Sequence, residues 1–192
     1  NVVDGWNKFG DPNTSWLTWQ VPPHGGSQCL KMFGPWDQYG GTGMTQIFPA
    51  VPGETWIASI WSMNYSTDRM QNNNFCVMKI EFQDSGHGPA GGTWLAGVNV
   101  FEERLADANT PLDVWTLHGL GTAPAPPGTA YVNFVLVEVQ MGDPISGGSV
   151  FLDDAFLSEV CDVHDPVFDT DDNGKVNADD FSVFKSCVTG PA

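Results

Sequence analysis

Residues Phe75-Cys-Val-Met-Lys-Ile-Glu-Phe-Gln-Asp84 decide the fold class. Cys76, Met78, Ile80 and Phe82 alternate with Val77, Lys79 and Glu81, a period of two that turns one face of a strand to a core and leaves the other wet. Residues 131–140 behave differently: Val132, Phe134 and Leu136 on one face and Tyr131, Val135, Val137 and Val139 on the other are mostly apolar, which suits a central strand covered on both sides. Working outward, short β-branched or aromatic runs closed by Gly, Pro or Asn predict further strands over 16–21, 28–33, 44–48, 55–64, 98–103, 113–120 and 149–157. No long helical period interrupts them. About nine strands fit two packed sheets, an all-β jelly-roll sandwich over residues 1–160. Two loops rich in Gly and aromatics lie between strands, over 34–43 and 85–97. At residues 159–166 alternation gives way to a polar, acidic run, which predicts a boundary and a separate segment over 161–192.

The charge balance excludes whole classes of partner. Among 192 residues, 7 Lys and Arg stand against 23 Asp and Glu, a net charge of −16. Binding to the phosphate backbone of nucleic acid needs clustered Lys and Arg, and an anionic lipid surface repels such a chain. The longest apolar runs fall far short of the roughly 20 residues that span a bilayer, so no membrane insertion is expected. A hydrophobic fraction of 41% with 8 Trp suffices for one substantial core. Charged residues make up only 16%, which leaves much of the surface to Gly, Pro, Asn, Ser and Thr and suits many loops.

The chain begins with Asn1 and carries no charged-then-apolar leader, which reads as a processed mature chain or a chosen portion of one. Four cysteines, Cys29, Cys76, Cys161 and Cys187, occur without a CxxC pair, so disulfides in a secreted, extracellular or cell-surface protein are expected. Of three connectivities, Cys161 to Cys187 is favoured because these two bracket one compact motif, which leaves Cys29 to pair with Cys76; four buried thiols are the alternative. Asn13-Thr-Ser and Asn64-Tyr-Ser are formal glycosylation sequons.

The motif between the last two cysteines is Asp169-Thr-Asp-Asp-Asn-Gly-Lys-Val-Asn-Ala-Asp-Asp180. Oxygen side chains fall at loop positions 1, 3, 5, 9 and 12 with Gly174 at position 6, the spacing that wraps oxygen ligands around calcium. The expected ligands are Asp169, Asp171, Asn173, Asp180 and the carbonyl of Lys175. Asn177 can cap a following helix, on which Phe181, Phe184 and Val188 share one apolar face before Gly190-Pro191 ends it. The alternative is a solvated acidic turn. The loop resembles a dockerin repeat, a single EF-hand-like unit matched at Asp169, Asp171, Asn173, Gly174, Val176, Asn177 and Asp180, whereas a dockerin carries two such loops.

The runs Gln28-Cys-Leu-Lys-Met-Phe-Gly34, Met44-Thr-Gln-Ile-Phe-Pro-Ala-Val-Pro-Gly53 and Phe151-Leu-Asp-Asp-Ala-Phe-Leu157 resemble the galactose-binding-like jelly rolls found among carbohydrate-binding modules. That resemblance implies a second calcium near the chain start, held by Asp153 or Asp154. It also implies an opening strand, which Asn1-Val-Val-Asp-Gly-Trp6 does not match, so an unpaired sheet edge is expected there. Sugars stack on exposed aromatic rings, and Trp36, Tyr39 and Trp94, set among glycines, are the candidate platforms. Most Trp in a sandwich are core, and Trp56 and Trp61 are read that way, with Met32, Met44 and Met78 as core filler.

No HExxH or GxSxG motif is present, and adjacent Glu102 and Glu103 must point to opposite faces of a strand, so no catalysis is expected. Three readings compete: a structural or adhesive component of an extracellular surface or filament, a polysaccharide-binding module, and a small hydrolase. The first is favoured if these residues are the whole mature protein, the second if they are part of a longer one. Self-association is expected through the sheet edge near residues 1–6 and through the face of Phe181, Phe184 and Val188; the alternative is that this helix folds back on its own sandwich.

Overall fold

The alternation that begins at Phe75 becomes β6 (Phe75–Gln83), whose Cys76, Met78, Ile80 and Phe82 are all buried in the main core. A computed structural model of the chain describes residues 3–34, 39–85, 100–141 and 147–160. The chain divides into two compact units, Asn1–Ser158 and Glu159–Ala192. The first carries two five-stranded sheets. One runs in the order β1 (Asn7–Phe9), β4 (Tyr39–Pro49), β9 (Tyr131–Met141), β6, β7 (Val100–Asp107). The other runs β2 (Ser15–Thr18), β3 (Cys29–Phe33), β10 (Ser149–Val160), β5 (Thr55–Met63), β8 (Thr116–Gly121). The described registers are antiparallel, as in a jelly-roll sandwich.

Between the sheets lie Leu30, Met32, Met44, Ile60, Met78, Ile80, Phe82, Phe134, Leu136, Val150 and Leu152. Each such side chain contributes about 1.5–3 kcal/mol by leaving water, so this layer supplies most of the drive to fold. Met32, Met44 and Met78 do fill the core, and Trp56 joins it. A smaller cluster of Val21, Cys29, Met63 and Phe151 lies on the opposite side of the second sheet, because Cys29 and Phe151 alternate with the inward Leu30 and Leu152. Trp61 is a correction. Its neighbour Ile60 faces the main core, so Trp61 faces outward, half-buried beside its exposed cross-strand partner Leu117.

Three further expectations fail for physical reasons. The face of β6 expected to be wet is buried: Val77 is 2% exposed and packs with Val135 and Val137, and Glu81 is 5% exposed. An opening strand does exist, just past residues 1–6 where the resemblance implies it: Asn7, Lys8 and Phe9 pair with Thr45, Met44 and Gly43, and β1 is then the edge strand of its sheet. The strand expected at 44–48 starts instead at Tyr39, so part of the glycine-rich stretch read as a loop is strand. Gly43 is needed there, because a Cβ would sit 2.2 Å from the Leu136 carbonyl oxygen and 2.5 Å from the Phe9 ring.

The expected Cys29–Cys76 bridge is also not formed. Cys29 belongs to β3 and the outer cluster, Cys76 to β6 and the main core, and both are buried free thiols. Burial pushes the Cys29 thiol up to about 11, and burial drives Cys76 well above its usual value. The other expected bridge, Cys161 to Cys187, lies outside the described residues.

Candidate functional site

The segment after β2 is tied down along its length. The Gln20 amide donates to Thr18 Oγ1 at 3.1 Å, and Gln20 Oε1 accepts from Lys31 Nζ at 2.9 Å. Val21 is buried in the outer cluster, and the Pro22 carbonyl accepts from Trp115 Nε1 at 3.1 Å. His24 then stacks on Trp61, with ring centroids 3.8 Å apart and planes 17° from parallel, while Trp115 meets its edge. Asp153 Oδ2 accepts from the backbone N–H groups of His24 at 2.8 Å and Gly25 at 3.1 Å. Asp154 adopts φ 49°, and its Oδ2 lies 2.7 Å from His24 Nδ1, which donates to the carboxylate. Gly25 permits this approach, since a Cβ would fall 2.6 Å from Asp154 Oδ1.

The same segment begins with Trp19, which is 78% exposed. Its exposed indole thus opens a segment whose backbone is held at Pro22 by Trp115 and at His24 and Gly25 by Asp153, with Lys31 and Asp154 holding the Gln20 and His24 side chains. Trp19 falls inside the strand expected over 16–21, where nothing in the local run of residues marks it as exposed. Strand β2 ends at Thr18, where the side chain turns back onto the Gln20 amide.

Of the residues expected to act, Asp153 and Asp154 hold the 24–25 backbone and the His24 ring as described. Among the described residues no group of three or more His, Cys, Asp and Glu side chains could hold a metal ion. Trp36 and Trp94 lie outside the described residues, as do Asp169, Asp171, Asn173, Lys175 and Asp180 of the calcium loop. Tyr39 pairs with Met141 through its backbone, and its side chain is outside them too.

A second polar feature crosses the outer face of the first sheet. Thr45 bonds to Asn133 Oδ1, and Asn133 Nδ2 donates to Glu81 Oε2 at 3.2 Å. Burial pushes the Glu81 carboxyl up to about 7, against the opposing influence of Lys79 and the Asn133 hydrogen bond. Lys79 Nζ pairs with Glu102 at 3.2 Å, and the Arg104 guanidinium sits 3.7 Å above the Phe75 ring.

A third feature has the outline of a hydrolase triad. Ser62 Oγ lies 2.9 Å from His118 Nε2, and Glu103 Oε1 lies 3.5 Å from His118 Nδ1. Glu102 and Glu103 do point apart, one to Lys79 and one to His118. Ser62 is 1% exposed and its hydroxyl donates to the Leu105 carbonyl at 2.9 Å, so its proton is engaged with the backbone and not with His118. His118 of β8 and Glu103 of β7 tie an edge of one sheet to an edge of the other.

No protein-family model matches the chain, and no curated protein matches it. Solved structures do share its fold. TmCBM61 in complex with beta-1,4-galactotriose aligns with a TM-score of 0.51 at 14% identity, over 82% of this chain and 90% of that one. A cyclase from Fischerella sp. TAU aligns at 0.52 and 14% identity, over 82% and 85%. The enzymatically active domain of bacteriophage CBA120 tailspike protein 4 aligns at 0.55 and 15% identity, over 82% of this chain but only 20% of the tailspike chain. At these identities the likeness is one of fold, a β-sandwich that carbohydrate-binding modules share.

Proposed function

We propose that the chain is a non-catalytic carbohydrate-binding module that takes a neutral polysaccharide, with Trp19 as its stacking platform. The observation that carries this reading is the 78% exposed indole of Trp19 on a tied-down backbone. The sandwich shared with TmCBM61 supports it, and favours it over the structural or adhesive reading. A pyranose presents an apolar C–H face that an exposed indole can cover, and an aromatic brings a large contact area at little cost in side-chain freedom. The net charge of −16 repels uronate-rich or sulfated glycans, which leaves neutral ones. Trp36, Tyr39 and Trp94 are further platforms proposed from their sequence setting alone. Calcium binding by residues 169–180 is likewise a proposal that rests on ligand spacing.

Affinity electrophoresis tests this reading directly. The protein is run through gels containing neutral galactan, xylan or β-glucan and through gels containing polygalacturonate. At least one neutral polymer is expected to retard it and polygalacturonate is not. Trp19→Ala should remove the retardation with an unchanged melting temperature, and Trp36→Ala, Tyr39→Ala and Trp94→Ala show whether the loop aromatics share the work. Free migration in every neutral gel overturns the module reading. Retention undiminished in Trp19→Ala moves the platform elsewhere.

A further inference from the structure

Among the described residues, the interior between the sheets holds a carboxylate that nothing described so far uses. Glu138 of β9 faces inward, between its cross-strand neighbours Thr42 of β4 and Cys76 of β6, and is 0% exposed. Neither of its oxygens accepts a hydrogen bond of ordinary geometry; the Gly34 amide is the nearest donor and makes at most a weak one. Burial penalises the charged form of a carboxylate that lacks a well-formed partner. The surroundings are polar: Thr14 and Thr42 bond to each other through their hydroxyls, and Gln140 is buried as well.

Gly34, just past β3, faces the same spot. A Cβ placed on Gly34 would lie 2.9 Å from Gln140 Oε1 and 3.3 Å from Glu138 Oε1. Two oxygens from β9 therefore converge beside a residue that leaves the intervening volume free. An acidic neighbour, Asp68, adds negative potential and is itself held by Lys31 Nζ at 2.6 Å and Ser149 Oγ at 2.9 Å. Burial raises the Glu138 carboxyl well above its usual range; the nearby Gly34 amide works against that rise and Asp68 adds to it.

We propose that Glu138, with Gln140 Oε1, binds a calcium-sized hard cation in the cradle that Gly34 leaves open. Both oxygens of Glu138 and the amide oxygen of Gln140 are the hard ligands such an ion selects, and a bound cation would offset the burial that otherwise favours the protonated acid. The site draws on other residues than the acidic loop at 169–180 and than Asp153 and Asp154. It goes beyond the carbohydrate-binding reading and does not depend on it.

Equilibrium dialysis of the full chain against calcium, with bound metal measured by mass spectrometry, tests it. Glu138→Gln preserves shape and should bind one equivalent fewer than wild type. Gly34→Ala fills the cradle while keeping Glu138, and should lose the same equivalent. Asp171→Ala, in the acidic loop, serves as the control whose loss adds to that of Glu138→Gln. If Glu138→Gln binds as much calcium as wild type, Glu138 is a protonated acid and the proposal fails. If Glu138→Gln does not fold, undiminished calcium in Gly34→Ala overturns the proposal equally.

Discussion

Glu81 shows how far a single residue can depart from its pattern. Its place between Ile80 and Phe82 fixes which way it points, yet nothing in β6 tells that its face is buried and that Asn133 of β9 donates to it. Its carboxyl titrates at about 7 in the folded chain against roughly 4.3 when unfolded. The folded state thus holds the proton more tightly, so the contribution of Glu81 is fully present below about pH 4 and is lost as pH rises through about 7. Glu81→Gln keeps the neutral shape. It should match wild type near pH 4 and exceed it at pH 8 by on the order of 1–3 kcal/mol, measured by urea unfolding at both values. Equal stability at pH 8 would show that Glu81 reaches water there. Trp61 and Trp19 teach the same lesson about aromatics: their types were legible, while their exposure depends on where β2 ends and which face of β5 looks inward.

At the scale of elements, the existence of most strands was legible and their pairing was not. Period-two alternation marks a strand of nine residues such as β6, but β1 has three residues and no period to read. The glycines of β4 looked like loop because their meaning lies across the sheet, in the Leu136 carbonyl and the Phe9 ring. Gly43→Ala should therefore destabilise the sandwich by roughly 1–3 kcal/mol through overpacking, and amide exchange should show β1 opening first. Gly119 of β8, with nothing within 4 Å of a built Cβ, is the matched control. Gly119→Ala should be neutral or slightly stabilising. Comparable losses at both positions would trace the effect to chain flexibility instead of contact.

For the molecule as a whole, the two-sheet sandwich followed from counting turns and alternations, whereas the candidate platform did not, because it needs the ties from Lys31, Asp153, Asp154 and Trp115, which come from distant parts of the chain. If residues 169–180 bind calcium, excess chelator should lower the melting temperature, since a ligand held only by the folded form stabilises it by mass action, and Asp171→Ala should blunt that shift. A melting temperature indifferent to chelator and to added calcium removes calcium from the account. The free thiols of Cys29 and Cys76, among the described residues, offer a different kind of readout. Cys76 sits in the layer between the sheets and Cys29 in the cluster outside the second sheet, both buried from reagent and with burial raising both thiols. Each becomes reactive only when its own cluster opens, so the molecule carries two internal clocks. Mass mapping of alkylated peptides over time would read them separately: equal rates mean that the sandwich opens in one cooperative event, and faster capture of Cys29 means that the outer layer peels away while the inner one still holds.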